Sequence, residues 1–134
     1  MVKRISPQEA KDLIDREGYV YVDVRSIPEF EQGHPAGAFN VPLNHMGPAG
    51  MAPNPEFVAV MEKAFPKDAK LVLGCQGGGR SLRAAGILEQ AGYTNVVDNR
   101  AGFQGHAEPG WRPAGLPVSK EAPADHTYED LKKR

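Results

Sequence analysis

The chain holds one sulfur nucleophile, Cys75, and its neighbours decide what that sulfur could do. The stretch LVLGCQGGGRSLRAAG (71–86) leads from apolar residues into the cysteine, then Gln76, three glycines (Gly77, Gly78, Gly79), Arg80 and Ser81. A free cysteine is often no more than a small buried hydrophobe. Three successive glycines argue against that, because a purely steric turn rarely needs them. Residues without side chains let backbone N–H groups converge on one point and form an anion-binding nest. A helix beginning just beyond adds the partial positive charge of its N-terminus, and Arg80 places a full charge nearby. A thiol in such a field ionises more readily, and the thiolate is the attacking form. Chemistry that puts a negatively charged group on sulfur, a persulfide or a phosphocysteine, suits this arrangement.

Residues 74–81, GCQGGGRS, also fit the phosphate-cradling pattern G-x-x-x-x-G-K-[ST] with Arg80 in the lysine position. Asp23, ending the apolar YVYVD (19–23), would then serve a magnesium ion. A bulky guanidinium does not replace the compact ammonium of that pattern. The nucleotide reading is therefore the weaker one.

Asp23 and Arg25 follow a strand and could face the same sheet end as Cys75. An ordinary strand-end ion pair is the favoured reading, and orientation of the loop backbone or of Arg80 the alternative. Arg25 and Glu29, four apart, predict a local pair. His34 lies in a Gly-bounded turn and reads as a structural hydrogen-bonding group. His45, His106 and His126 stand singly beside one cysteine, without metal-ligand spacing, so no metal or other cofactor is expected. Ser81 reads as a helix cap rather than a donor to the group on sulfur. Met46, Phe103 and Trp111 divide between an apolar rim and the core. Alanine at Gly78 or Gly79 is expected to harm activity more than stability.

The elements that must position these residues are legible in outline. SPQEAKDLIDREG (6–18) predicts a helix with Ser6 as N-cap, Pro7 in its first turn, Glu9 closing a capping box and Gly18 ending it. YVYVDV (19–24), GAFNVP (37–42), AKLVLG (69–74) and TNVVDN (94–99) predict strands. Short SIPEFEQG (26–33), amphipathic PEFVAVMEKAF (55–65) and residues 80–91 predict helices, the last closed by Gly92. The Pro- and Gly-rich residues 44–55 read as a loop, and HTYEDLKKR (126–134) as a terminal helical turn or two. Strands alternating with helices predict an α/β fold with a parallel sheet covered on both faces. Ligands of such sheets bind beyond the carboxyl ends of the strands, where Cys75 is placed.

Composition narrows the setting. A chain of 134 residues with 40% hydrophobic and 25% charged residues suits one domain over 1–134. The net charge of −1 provides no field for nucleic acid or an anionic membrane. The lone cysteine excludes an internal disulfide framework and suits a reducing compartment. No secretory pattern or bilayer-length apolar run is present, so a cytoplasmic protein is the expectation.

Two separated motifs then resemble the single-domain rhodanese family of sulfurtransferases. VDVRSIPEFEQGHPAGAFNVP (22–42) is similar to that family's D-V-R-x-x-x-E-[FY]-x-x-G-H-x-x-G-A-x-N-[IV]-P signature, and the cysteine loop to its C-x4-R-[ST] form. AGYTNVVDNRAGF (91–103) and WRPAGLPV (111–118) resemble its closing segment. The resemblance covers about 1–118 and leaves 119–134 as a tail. It implies a rhodanese-like, five-stranded, mostly parallel sheet with helices on both faces. It further implies that Cys75 takes a sulfane sulfur from thiosulfate or a similar donor. The persulfide, held by loop residues Gln76, Gly77, Gly78, Gly79, Arg80 and Ser81 with Asp23 and Arg25 in support, would pass that sulfur to cyanide, a small thiol or a protein acceptor. Four residues between Cys75 and Arg80 suit sulfur. Related phosphatases and arsenate reductases carry five, a wider cradle for a tetrahedral oxyanion. A non-catalytic rhodanese-like binding module is the other alternative. The chain departs from the family at QGHAEPG (104–110), an insertion next to the expected rim of the site.

Overall fold

A computed structural model of the chain describes residues 2–134. Its centre is a five-stranded sheet of β1 (Lys3–Ile5), β2 (Val20–Asp23), β4 (Phe39–Asn40), β7 (Lys70–Gly74) and β8 (Asn95–Asn99), ordered β1-β8-β7-β2-β4. Every pairing in it is parallel. The remaining strands are short: β3 (His34–Pro35) pairs antiparallel with β9 (Val118–Ser119), and β5 (Asn44–Gly47) with β6 (Gly50–Pro53). Residues 44–53, expected as loop, are therefore a hairpin. Its prolines and glycines are tolerated because β6 is an exposed edge that owes the rest of the fold little packing.

Successive strand residues point to opposite faces, and the core divides accordingly. Val22, Val24, Leu71, Leu73 and Cys75 share one apolar cluster with α3 (Phe57–Ala64), α4 (Gly79–Gln90) and α5 (Tyr128–Lys132). Tyr21 and Val72 face the other way, onto Ala10 of α1 (Pro7–Glu17), Phe30 of α2 (Ile27–Glu31), Phe103 and Trp111. Helices thus cover both faces.

Local chemistry sets the helix ends. The Glu9 N–H donates to Ser6 Oγ and the Ser6 N–H to the Glu9 carboxylate, the capping box expected from the sequence. Gly18 closes α1 in the left-handed region at φ +75°. The tail is not an appendage: Thr127 caps α5, and Tyr128 and Leu131 are buried against the core. Among the described residues no helix is long and apolar enough to cross a membrane.

Candidate active site

β7 is central, between β8 and β2, and ends at Gly74. Cys75 follows at once, so the thiol stands at the carboxyl end of the sheet. It is buried. Gly74 has to be glycine, since a Cβ there would fall 1.7 Å from the Tyr21 hydroxyl. The chain then turns through 76–78 into α4, whose N-cap is Gly78. Gly78 lies at φ +105°, which only glycine adopts freely. In that conformation its N–H donates to Cys75 Sγ at 3.0 Å. Of the loop amides expected to converge on sulfur, that of Gly78 reaches Sγ in this structure.

The loop is held from behind by the closing segment. Phe103 N–H donates to the Cys75 carbonyl at 2.7 Å, and the Gln104 and Gly105 N–H groups donate to the Gln76 carbonyl. This approach needs Gly102, at φ +70°, where a Cβ would lie 2.5 Å from Gln76 O and 2.7 Å from Cys75 O. The first residues of 104–110 therefore fasten the cysteine loop.

Asp23 and Arg25 form a buried ion pair, Arg25 Nη2 to Asp23 Oδ2 at 2.7 Å. Arg25 Nε–H and its backbone N–H also donate to this carboxylate. The same guanidinium donates to the Gly33 carbonyl at 2.6 Å and to Gln76 Oε1 at 3.1 Å, and lies 4.5 Å from the Phe103 ring centroid. The strand-end pair is thus also a tether on the loop. With both carboxylate oxygens engaged by Arg25, Asp23 is not the free magnesium ligand that a nucleotide site would use.

Two local expectations are corrected. Arg25 does not pair with Glu29, because it precedes α2 and the helical four-residue spacing does not connect them. Glu29 instead receives Arg80, Nη1 to Oε1 at 2.7 Å and Nη2 to Oε2 at 2.9 Å. The Arg80 charge near the thiol is thereby shared with a carboxylate. Although burial raises the Glu29 carboxyl, hydrogen bonds from Arg80 and Ser26 outweigh it and bring it down to about 2. Ser81 does not cap α4: its buried hydroxyl donates to Asp98 Oδ1 and approaches the Gly78 carbonyl at 3.3 Å. Burial pushes the Asp98 carboxyl above its ordinary range, against the opposing pull of Ser81 and Arg4.

The three glycines also differ. A Cβ on Gly78 would lie 2.1 Å from the Arg100 carbonyl oxygen, one on Gly77 would make ordinary contacts, and one on Gly79 would meet nothing. Only Gly78 has a positive φ.

His34 is structural as expected, its buried ring lying 2.7 Å from the Phe30 carbonyl and 2.8 Å from that of Glu121. Of the apolar candidates, Phe103 and Trp111 are core and Met46 is exposed. Beside the loop a cavity of about 160 Å³ is lined by Gln32, Gln76, Phe103, Gln104 and Arg112 together with Arg25 and Glu29. Glu29, Asp98, Arg4 and Arg112 were missed as site residues. Of these, Glu29 had the clearest signal, its place in the first motif, while Asp98 and Arg112 lie in the closing segments and Arg4 in none.

Known proteins of one family resemble this chain in sequence and fold. The family model described as a rhodanese-like domain matches residues 6–108. Thiosulfate sulfurtransferase 16, chloroplastic, of Arabidopsis thaliana is 40% identical over 114 residues, which are 85% of this chain and 90% of that protein. Thiosulfate sulfurtransferase 18 of the same plant is 31% identical over 122 residues, 90% of this chain and 85% of its own. Other relatives are longer: the match covers 47% of the senescence-associated protein DIN1 of Raphanus sativus, at 41% identity over 64% of this chain. Among solved structures, Rv0390 from M. tuberculosis superposes with a TM-score of 0.76 at 28% identity, covering 90% of this chain and 98% of that one. The matched span and the 40% identical relative show that the chain belongs to the rhodanese-like domain family.

Proposed function

We propose that this protein is a sulfurtransferase that carries a sulfane sulfur on Cys75. The thiolate attacks the outer sulfur of thiosulfate or a similar donor. The new S–S bond takes the bonding pair from sulfur, the old S–S bond breaks, and sulfite leaves with its electrons. The Cys75 persulfide anion then yields its terminal sulfur to cyanide, giving thiocyanate and the thiolate again, or to a thiolate, giving a new persulfide. No proton has to move in either step, so the site needs anion stabilisation rather than a general base.

The observation that carries this reading is the Gly78 N–H on Cys75 Sγ at 3.0 Å, within a loop of four residues ending at Arg80. A donor fixed on Sγ is placed to hold the thiolate charge before attack and again as the thiolate is released; in the persulfide that charge moves to the outer sulfur. The adjoining cavity offers the Arg112 guanidinium, which has no ion pair among the described residues, and the amides of Gln32, Gln76 and Gln104. That lining suits a small anionic donor. The names of the two thiosulfate sulfurtransferase relatives support the same choice.

Intact mass spectrometry after incubation with thiosulfate tests it. The expected result is a gain of one sulfur atom, reversed by cyanide with release of thiocyanate. An unchanged mass with a folded, reduced Cys75 would leave the chain a binding module of the family.

A further inference from the structure

Behind the cysteine loop, two side chains that the proposed chemistry does not use meet at one backbone group, and a third, Asp98, joins them. Asp98, at the end of β8, is fully buried. One of its oxygens accepts from the Ser81 hydroxyl, and the other from Arg4 Nε–H at 2.7 Å. Arg4 Nη2 and Ser81 Oγ in turn lie 3.2 and 3.3 Å from the same acceptor, the Gly78 carbonyl oxygen. Gly78 is the residue whose N–H meets the sulfur. On its remaining side stands the Arg100 carbonyl, so close that no Cβ could fit between.

We propose that Asp98 is a positioning residue for this site: it fixes Arg4, whose Nη2–H donates to the Gly78 carbonyl, and the Ser81 hydroxyl packed against that carbonyl, and so keeps the Gly78 N–H on Cys75 Sγ. The inference rests on the reading that Cys75 is the sulfur carrier. An isolated strand-to-strand ion pair would account for Arg4 and Asp98, but not for both Asp98 partners reaching one carbonyl. Alignment within a few tenths of an ångström decides how much an anion donor contributes in a reacting site, and a displacement of about 1 Å costs up to a hundredfold in rate.

Arg4→Lys separates positioning from simple charge pairing. A lysine can neutralise Asp98, but its single nitrogen cannot present the two separate groups with which Arg4 engages Asp98 and Gly78. Single-turnover sulfur loading from thiosulfate, followed by intact mass across donor concentrations, gives a maximal rate and a half-saturating concentration. Iodoacetamide alkylation of Cys75 and urea denaturation accompany it. For Arg4→Lys the expected result is a urea midpoint like the parent's, a maximal loading rate lower by about tenfold or more, and an unchanged half-saturating concentration. Alkylation should slow in parallel, because the amide stabilises the thiolate. Ser81→Ala should show the same split to a smaller degree, and Asp98→Asn to a larger one.

Parent-like loading and alkylation in both Arg4→Lys and Ser81→Ala would overturn the proposal. So would losses that merely follow the folded fraction. If the parent chain alkylates but takes no sulfur, the sulfur-transfer reading fails, and the alkylation comparison still decides the role of Asp98.

Discussion

The Arg80 guanidinium is forked on the Glu29 carboxylate, joining the first turn of α4 to α2 across 51 residues of sequence. Arg80 Nη1 also reaches Met51 Sδ at 3.5 Å, on the β5–β6 hairpin. The arginine that opens the helix after the cysteine loop is therefore a clamp between three elements at the sheet's carboxyl end. Planarity and paired donors suit it to that task better than a lysine.

The clamp predicts an acid-sensitive contribution to stability. Glu29 is held at about 2 in the folded chain against an ordinary value of 4.5. A depressed carboxyl stabilises the fold above its unfolded value, and that contribution disappears as pH falls through the folded one. The window is pH 4.5 down to 2. Glu29→Gln should cost on the order of 1 kcal/mol at pH 7, after discounting for partial solvent screening. Urea titrations at several pH values should show the variant and the parent converging toward pH 2. A constant gap across that window would rule the ion pair out as its source.

A second consequence concerns Arg25. Its fork serves Asp23, Gly33 and Gln76 at once, in a site where it is almost wholly buried. Truncation to alanine leaves the Asp23 carboxylate buried without its cation, a loss of about 3–5 kcal/mol. Arg25→Lys keeps the charge but not the geometry, and should fall between alanine and the parent, with Gln76 released. Chemical denaturation of both variants checks the order. An alanine variant within about 1 kcal/mol of the parent would show that water replaces the guanidinium readily.

How far the sequence could be read depended on the range of each interaction. The α1 capping box was visible because Ser6 and Glu9 are three residues apart and satisfy each other. The strands β2, β7 and β8 announced themselves as short apolar runs, β-branched in β2 and β8. β1 did not, since Lys3 and Arg4 are exposed and Ile5 is its one buried residue. The position of Cys75 at a strand end followed from the element order. Glu29, Asp98 and Arg4 could not be assigned that way, because their partners lie 51, 17 and 94 residues away. Spacing within a helix even misdirected the Arg25 partner, as α2 begins only at Ile27.

Cys75→Ser tests the carrier itself. Serine is nearly isosteric, and the Gly78 N–H can donate to its oxygen as it does to Sγ, so the urea midpoint should stay close to the parent's. Thiosulfate:cyanide transfer should fall to background, because an alcohol at neutral pH neither attacks the donor sulfur nor carries a persulfide. Measurable turnover in the variant would place the reacting group elsewhere.

The glycine triplet gives the sharpest separation of shape from chemistry. Gly79 lies in α4 with an ordinary φ and open space where a methyl would go. Contrary to the damage expected from the sequence, Gly79→Ala should be neutral in turnover and more stable by about 0.4–1 kcal/mol, since alanine restricts the unfolded chain. Gly77→Ala meets only ordinary contacts at 3.7 and 3.8 Å and should change both properties little. Gly78→Ala is different in kind. Its methyl would fall 2.1 Å from the Arg100 carbonyl oxygen, in a φ of +105° that alanine rarely adopts. Relief requires rotating the very residue whose N–H reaches the sulfur. Stability should drop by about 2–4 kcal/mol, and turnover by about a hundredfold from loss of the aimed donor. Saturating-thiosulfate turnover per folded molecule, measured beside urea denaturation, distinguishes the two losses. If Gly78→Ala lowers stability yet the folded fraction turns over like the parent, the amide on Cys75 is a feature of the turn and not of the reaction.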